Sequence, residues 1–237
     1  MKNRIAGLGC ALLFATGAAL SAGDAARFVD MGFSPDGKTY LFAQHGETGK
    51  TLQGYAEIYV VDVARNDFVP GGVFRINPSA ATRHRSGEDV FAQLQTVNAA
   101  FLNRQRCIPV PLAQVLYTRA PAPGVVGNDL IFRDFENLTG VDSLRYRVRL
   151  APLYEGTGEK ARSSFYIVAE TQDKDGTPIT RSAVGNPHIK RAGVNAYSIE
   201  RIFADKSGKS LVFLIAKTVV DGTGVSVRYM VETAQIP

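Results

Sequence analysis

The stretch "GFSPDGKTYLFAQHGETGKT", residues 32–51, carries two competing signals. Its first half, "FSPDGKTYLFA", has the form of a β-hairpin. Pro35 presets φ for a turn, and Gly37 accepts a positive φ. Apolar runs flank the turn on both sides, "RFVDMGF" before it and "TYLFAQ" after it. That pattern predicts two antiparallel strands. Its second half, "HGETGKT", looks like the end of a phosphate-binding loop, which requires G-x-x-x-x-G-K-[ST]. Counting back from Gly49, Lys50 and Thr51, the first glycine belongs at position 44, where Gln44 stands. The following "LQGYAEI" is no helix start, and a helix N-terminus is what cradles the phosphate. The reading is therefore a loop over 45–54 that leads to a third strand, "YAEIYVVDV" (55–63). In that strand Ile58, Val60 and Asp62 share one face, and Tyr59, Val61 and Val63 the other. Both faces are mostly apolar, which places the strand inside its sheet. "ARNDFVPGGVF" is expected to turn the chain again.

The hairpin has an echo 171 residues later, "GKSLVF" (208–213) against "GKTYLF" (37–42). Each opens a unit of three strands, at 28–63 and 199–234. A regular propeller repeats every ~40–45 residues, and no intermediate copies are found. The turn chemistry by itself also explains the match.

Between the two units, "SGEDVFAQLQTVNAAFLNRQR" (86–106) is expected to form a helix. Val90, Leu94, Val97 and Phe101 are spaced as one stripe, read as core packing. Ser86 and Asp89 suit an N-terminal cap, and Pro109 and Pro111 stop the segment. "APAPGVVGND" (120–129) is a long surface loop or an internal boundary. Strands resume at 130–135, 143–156, 163–172 and 178–184. The expectation is a mainly β fold with one prominent helix, built of antiparallel hairpins or meanders in a sandwich or partial propeller-like assembly.

Residues 1–22 read as a secretory signal peptide. Lys2 and Arg4 precede an apolar run from Ile5 to Leu20, which is short for a membrane span of ~20 residues. Cleavage after Ser21 puts Ala19 and Ser21 at the small-residue positions. Cys10 lies inside the apolar run, too early for a lipid attachment site. Residues 23–237 are then a single β-rich domain, without a transmembrane span, in the periplasm or secreted. Without the leader, 25 basic residues stand against 22 acidic ones. So mild an excess gives no nucleic-acid footprint. Cys107 would remain as a single thiol, so no internal disulfide supports the fold.

The family resemblance rests on "FVDMGFSPDGKTYLFAQHG" and "GYAEIYVVDVARNDFVPGGVF", within residues 28–74. Behind a signal peptide, this stretch resembles a family of predicted secreted bacterial proteins of unknown function. The resemblance implies export and supplies no catalytic residues.

Chemical motifs are sparse. G-x-S-x-G and H-E-x-x-H are absent. His45, His84 and His188 lack ligand spacing, and "DKDG" (173–176) lacks the closing carboxylate of a calcium loop. No metal site and no cofactor is expected. The strongest surface feature is "RYRVRL", where Arg145, Arg147 and Arg149 alternate with Tyr146, Val148 and Leu150. On a strand the three guanidiniums form a row on one face. Such a row fits an anionic envelope component as partner, or else is a solvated face paired with Glu170 or Asp173. The expected function is a non-catalytic binding or structural module of the cell envelope. The alternative is a hydrolase-like envelope enzyme with a site assembled from His45, Asp62 and Asp67.

Overall fold

The structure, a computed structural model, describes residues 23–120, 128–133, 145–173 and 175–235. The leader at 1–22 and most of the 120–129 segment lie outside them. The opening hairpin is β1 (Arg27–Phe33) and β2 (Thr39–Glu47), followed by β3 (Gly54–Asp62) and β4 (Asp67–Ile76). These four strands make an antiparallel meander in sequence order. Helix α1 (Gly87–Gln105) lies against it, and the short β5 (Val115–Thr118) follows. A second sheet holds β6 (Asp129–Arg133), β7 (Arg145–Glu155), β8 (Arg162–Gln172), β9 (Pro178–Val184) and the two-residue β10 (Arg191–Ala192). Its order is β10-β8-β7-β6, with β9 also paired to β8. The third sheet is β11 (Val194–Ala204), β12 (Ser210–Asp221) and β13 (Gly224–Gln235), with β5 on the free edge of β11.

The side-chain alternation of these strands builds a stack. On β3, Ile58 and Val60 pack under α1, while Tyr59 and Val61, with Val63 just past the strand, face the third sheet. On β12, Val212 and Leu214 meet that first sheet, while Leu211, Phe213 and Ile215 meet the second. The layer order is therefore helix, first sheet, third sheet, second sheet. No core cluster joins the first and second sheets among the described residues, so the stack is open and resembles a sandwich. The third sheet is apolar on both faces because it is the middle layer.

The two echoed hairpins lie face to face in this stack. Tyr40 stacks on Phe203 with ring centroids 6.1 Å apart. Their turns share one hydrogen-bond pattern. Ser34 N–H donates to Thr39 O and Gly37 N–H to Ser34 O, and likewise Asp205 N–H to Ser210 O and Gly208 N–H to Asp205 O. Gly37 and Gly208 sit at φ +69° and +70°.

Two local expectations need correction, and one gains detail. The loop over 45–54 begins later, because β2 runs on through His45, Gly46 and Glu47. "ARNDFVPGGVF" does turn the chain, at residues 63–66 between β3 and β4, and its "VPGG" lies past that turn. "VPGG" forms a bulge in β4, where the register with β3 shifts and Gly71 takes φ +71°, as suits a proline-bearing edge strand. The helix ends where the caps put it, with Ser86 Oγ accepting from Asp89 N–H at 3.0 Å and Arg106 in the left-handed region. Its buried face, however, is Val90, Phe91, Leu94 and Leu102. That face is centred on the Phe91–Leu94 side, so Val97 falls off its edge and is 74 % exposed.

Gln44, at the position a phosphate-binding glycine would need, is a buried tie between sheets. Its Nε2 donates to Glu57 at 2.6 Å and its Oε1 accepts from Tyr229 N–H at 2.7 Å. Glu57 in turn accepts from Tyr59 Oη and pairs with Arg75. Burial, with the Glu57 carboxylate beside it, pushes the Tyr59 phenol up to about 12.

Candidate functional site

The arginine row is placed as its alternation requires. Tyr146, Val148 and Leu150 enter the core between the second and third sheets, and Arg145, Arg147 and Arg149 stand on the outer face. Across from them lie Arg133, Ile131 and Asp129 on β6, and Gln172, Glu170 and Val168 on β8, with Arg181 beyond on β9. Among the described residues, five arginines thus share this patch with two carboxylates. Both carboxylates are engaged. Asp129 takes a two-pronged hydrogen bond from Arg147, at 3.1 and 2.7 Å, and Glu170 pairs with Arg181 at 3.4 Å. Glu170 lies directly opposite Arg147, yet Arg147 takes Asp129. The Arg147 hydrogen bond holds the Asp129 carboxyl below its usual range, with Arg149 adding to the effect. Arg133, Arg145 and Arg149 have no ion pair among the described residues, and Arg133 and Arg145 are direct cross-strand neighbours. Like charges in that position destabilise a strand pair. A shallow depression of about 190 Å³ lies between Arg147, Arg149, Glu170 and Arg181. Asp173 Oδ1 accepts from Asp175 and Thr177 N–H within its own turn, and no ion pair from Asp173 to this face is found among the described residues.

The residues of the hydrolase-like alternative do not converge. His45 is buried on the helix side of the first sheet, its ring 5.3 Å from that of Phe91. Burial, with Arg27 nearby, holds its pKa down. Asp62 pairs in register with Thr39, six positions along β2 from His45, a separation of ~20 Å at the rise of a strand. Asp67 lies beside Asp62 in the β3–β4 pair. Cys107 is half-buried, and burial raises its thiol to about 12, assisted by Asp36 and Asp30, so its thiolate is disfavoured.

Two larger concavities went unread in the sequence. One, of about 560 Å³, is walled by the paired turns and by Ile108, Pro109 and Pro111. The other, of about 450 Å³, opens where the β3–β4 turn, β13 and the 185–191 loop approach one another. Asn66 holds the turn at φ +50°, donates from Nδ2 to Glu232 Oε2 and accepts from Thr233 N–H at 2.7 Å. Arg191 covers the Phe165 ring at 4.9 Å and reaches to 3.7 Å from Glu232 Oε1. Glu232 is buried, and desolvation raises its pKa against the opposing pull of Asn66 and Arg191. The sequence signal for it is a carboxylate directly after the apolar run "YMV".

The model of a predicted secreted protein family, DUF2259, matches residues 41–235. The chain belongs to this family. The DUF2259 match begins within β2 and runs to the last residue of β13, so it leaves out β1 but reaches all three sheets and α1, far beyond the end of the stretch at 28–74. No curated protein and no solved structure matches the chain. Among the described residues, no helix is long and apolar enough to cross a membrane.

Proposed function

We propose that this DUF2259 protein is a non-catalytic binding module of the cell envelope, resident in the periplasm or released, and that it engages an anionic envelope component through Arg145, Arg147 and Arg149. The observation that carries this reading is the excess positive charge of the outer face among the described residues. Arg133 and Arg145 oppose each other while Asp129 and Glu170, the carboxylates of this face among the described residues, are occupied by Arg147 and Arg181. A bound carboxylate, sulfate or phosphate group supplies the missing negative charge, and guanidiniums bind such groups in two-pronged geometry. One folded unit from residue 23 onward belongs to the same reading. It is supported by β11–β13, which contribute to the cores on both of their faces.

The test is retention of the purified protein on a dextran sulfate matrix. Retention is expected to weaken with salt and to disappear when Arg145, Arg147 and Arg149 are all changed to Glu. Unchanged retention of that triple variant overturns the proposal.

A further inference from the structure

The Glu232 cleft has a chemistry of its own, distinct from the arginine face. Its volume, about 450 Å³, lies within the ~300–1,000 Å³ range of small-ligand pockets. Its charged lining residues balance, with Arg65 and Arg191 against Asp67 and Glu232, so neither an anion nor a cation is favoured as occupant. Phe68, 46 % exposed and backed by Tyr59 at 5.3 Å, supplies a flat apolar wall, and Ile189 supplies another.

The polar floor is open at one atom. A carboxylate has about four acceptor positions. Glu232 Oε2 is taken by Asn66. Oε1 has Arg191 at 3.7 Å, beyond hydrogen-bond range. Opposite it stands Gly185, at φ +88°, where a Cβ would lie 3.6 Å from Oε1. An oxygen atom seated ~2.8 Å from both groups spans the 3.7 Å gap between Arg191 and Glu232. That oxygen must accept from the guanidinium and donate to the carboxylate. A hydroxyl does both.

We propose that this cleft binds a neutral sugar ring, with one hydroxyl bridging Arg191 and Glu232 and the C–H face of the ring against Phe68. A zwitterionic amino acid has to part the Arg191–Glu232 pair to seat its carboxylate and ammonium, which a hydroxyl does not. The raised pKa of Glu232 agrees with a carboxylate short of hydrogen-bond donors.

The experiment is a two-dimensional amide NMR titration of the purified protein with glucose, galactose and N-acetylglucosamine, with glycine and inorganic phosphate as comparison probes. At least one sugar is expected to give saturable shifts clustered at Asn66, Phe68, Asn186 and Ile189. Phe68→Ser and Glu232→Gln are each expected to weaken that binding about tenfold or more. Phe68 is a surface side chain, so its variant decides the matter if Glu232→Gln fails to fold. The proposal is overturned if no sugar moves these amides, if glycine or phosphate moves them instead, or if Phe68→Ser binds the sugar as tightly as the parent. None of these outcomes depends on the arginine face, which lies on another sheet surface.

Discussion

Gly37 and Asp205 are in contact across two sheets. A Cβ built on Gly37 would stand 2.7 Å from Asp205 Oδ2. Each belongs to one of the two matching turns, and Asp205 Oδ1 also accepts from Ser210 N–H at 2.8 Å within its own turn. The equivalent glycine, Gly208, has open space around it. The resemblance between the two hairpins is thus a shared turn geometry, and the fold uses it asymmetrically.

That asymmetry sets a measurable difference. Gly37→Ala and Gly208→Ala both place a side chain at positive φ, which costs on the order of 1 kcal/mol. Only Gly37→Ala also drives a methyl into Asp205. Urea denaturation is expected to show Gly37→Ala as clearly the more destabilised of the two. Equal losses would mean that the turns do not touch.

Gln44 tests the tie between the first and third sheets. Gln44→Ala strands the Tyr229 N–H and removes a donor to Glu57, both partly buried. The expected loss is about 1–3 kcal/mol for unsatisfied buried groups. Substituting Lys50, exposed in the neighbouring loop, is expected to change stability by no more than ~0.5 kcal/mol. Denaturant midpoints with unchanged slopes check both.

The middle layer predicts a gradient along α1 and β12. Phe213 is wholly buried between the second and third sheets, so Phe213→Ala is expected to cost about 3–5 kcal/mol. Leu94→Ala, under the helix, falls at about 2–5 kcal/mol. Val97→Ala, on the same helix but exposed, stays within ~0.5 kcal/mol. Equal penalties at Leu94 and Val97 would contradict the described helix face.

What the sequence made legible follows from local physics. Turn chemistry at Pro35–Gly37, the cap at Ser86 and the prolines at 109 and 111 located the hairpin and the helix, because those signals are carried by neighbouring residues. The period-two pattern of β3 showed that both of its faces are covered. It did not show what covers each face. The stack order depends on β12 meeting Phe165 on one side and Tyr40 on the other, and these contacts join residues far apart in the chain. Val97 was misread because spacing fixes a stripe but not the angle at which the sheet meets it. The cleft was invisible for the same reason: Asn66, Arg191 and Glu232 come from three separate elements, and each is ordinary in its own segment.

Glu232 also predicts a pH effect of definite sign. Burial raises its folded pKa above the ordinary 4.5. The folded state then holds the proton more tightly than the unfolded chain, so stability falls as pH rises. Its contribution is fully present below 4.5 and is lost as pH passes through the raised folded value. Glu232→Gln removes this dependence. The stability difference between parent and variant is expected to shift in favour of the variant across that window, and a difference independent of pH would contradict the burial of the carboxylate.

The central claim is that the arginine face, and not net charge alone, recognises an anion. Its most direct test is equilibrium binding of a fluorescent dextran sulfate by the parent, by an Arg145→Ser/Arg149→Ser variant and by a Lys160→Ser/Lys209→Ser variant. Both variants lose the same charge, and Lys160 and Lys209 are exposed on other loops. The account predicts an affinity loss of about tenfold or more for the arginine pair, and a much smaller loss, removed by salt, for the lysine pair. Equal losses in the two variants would contradict it.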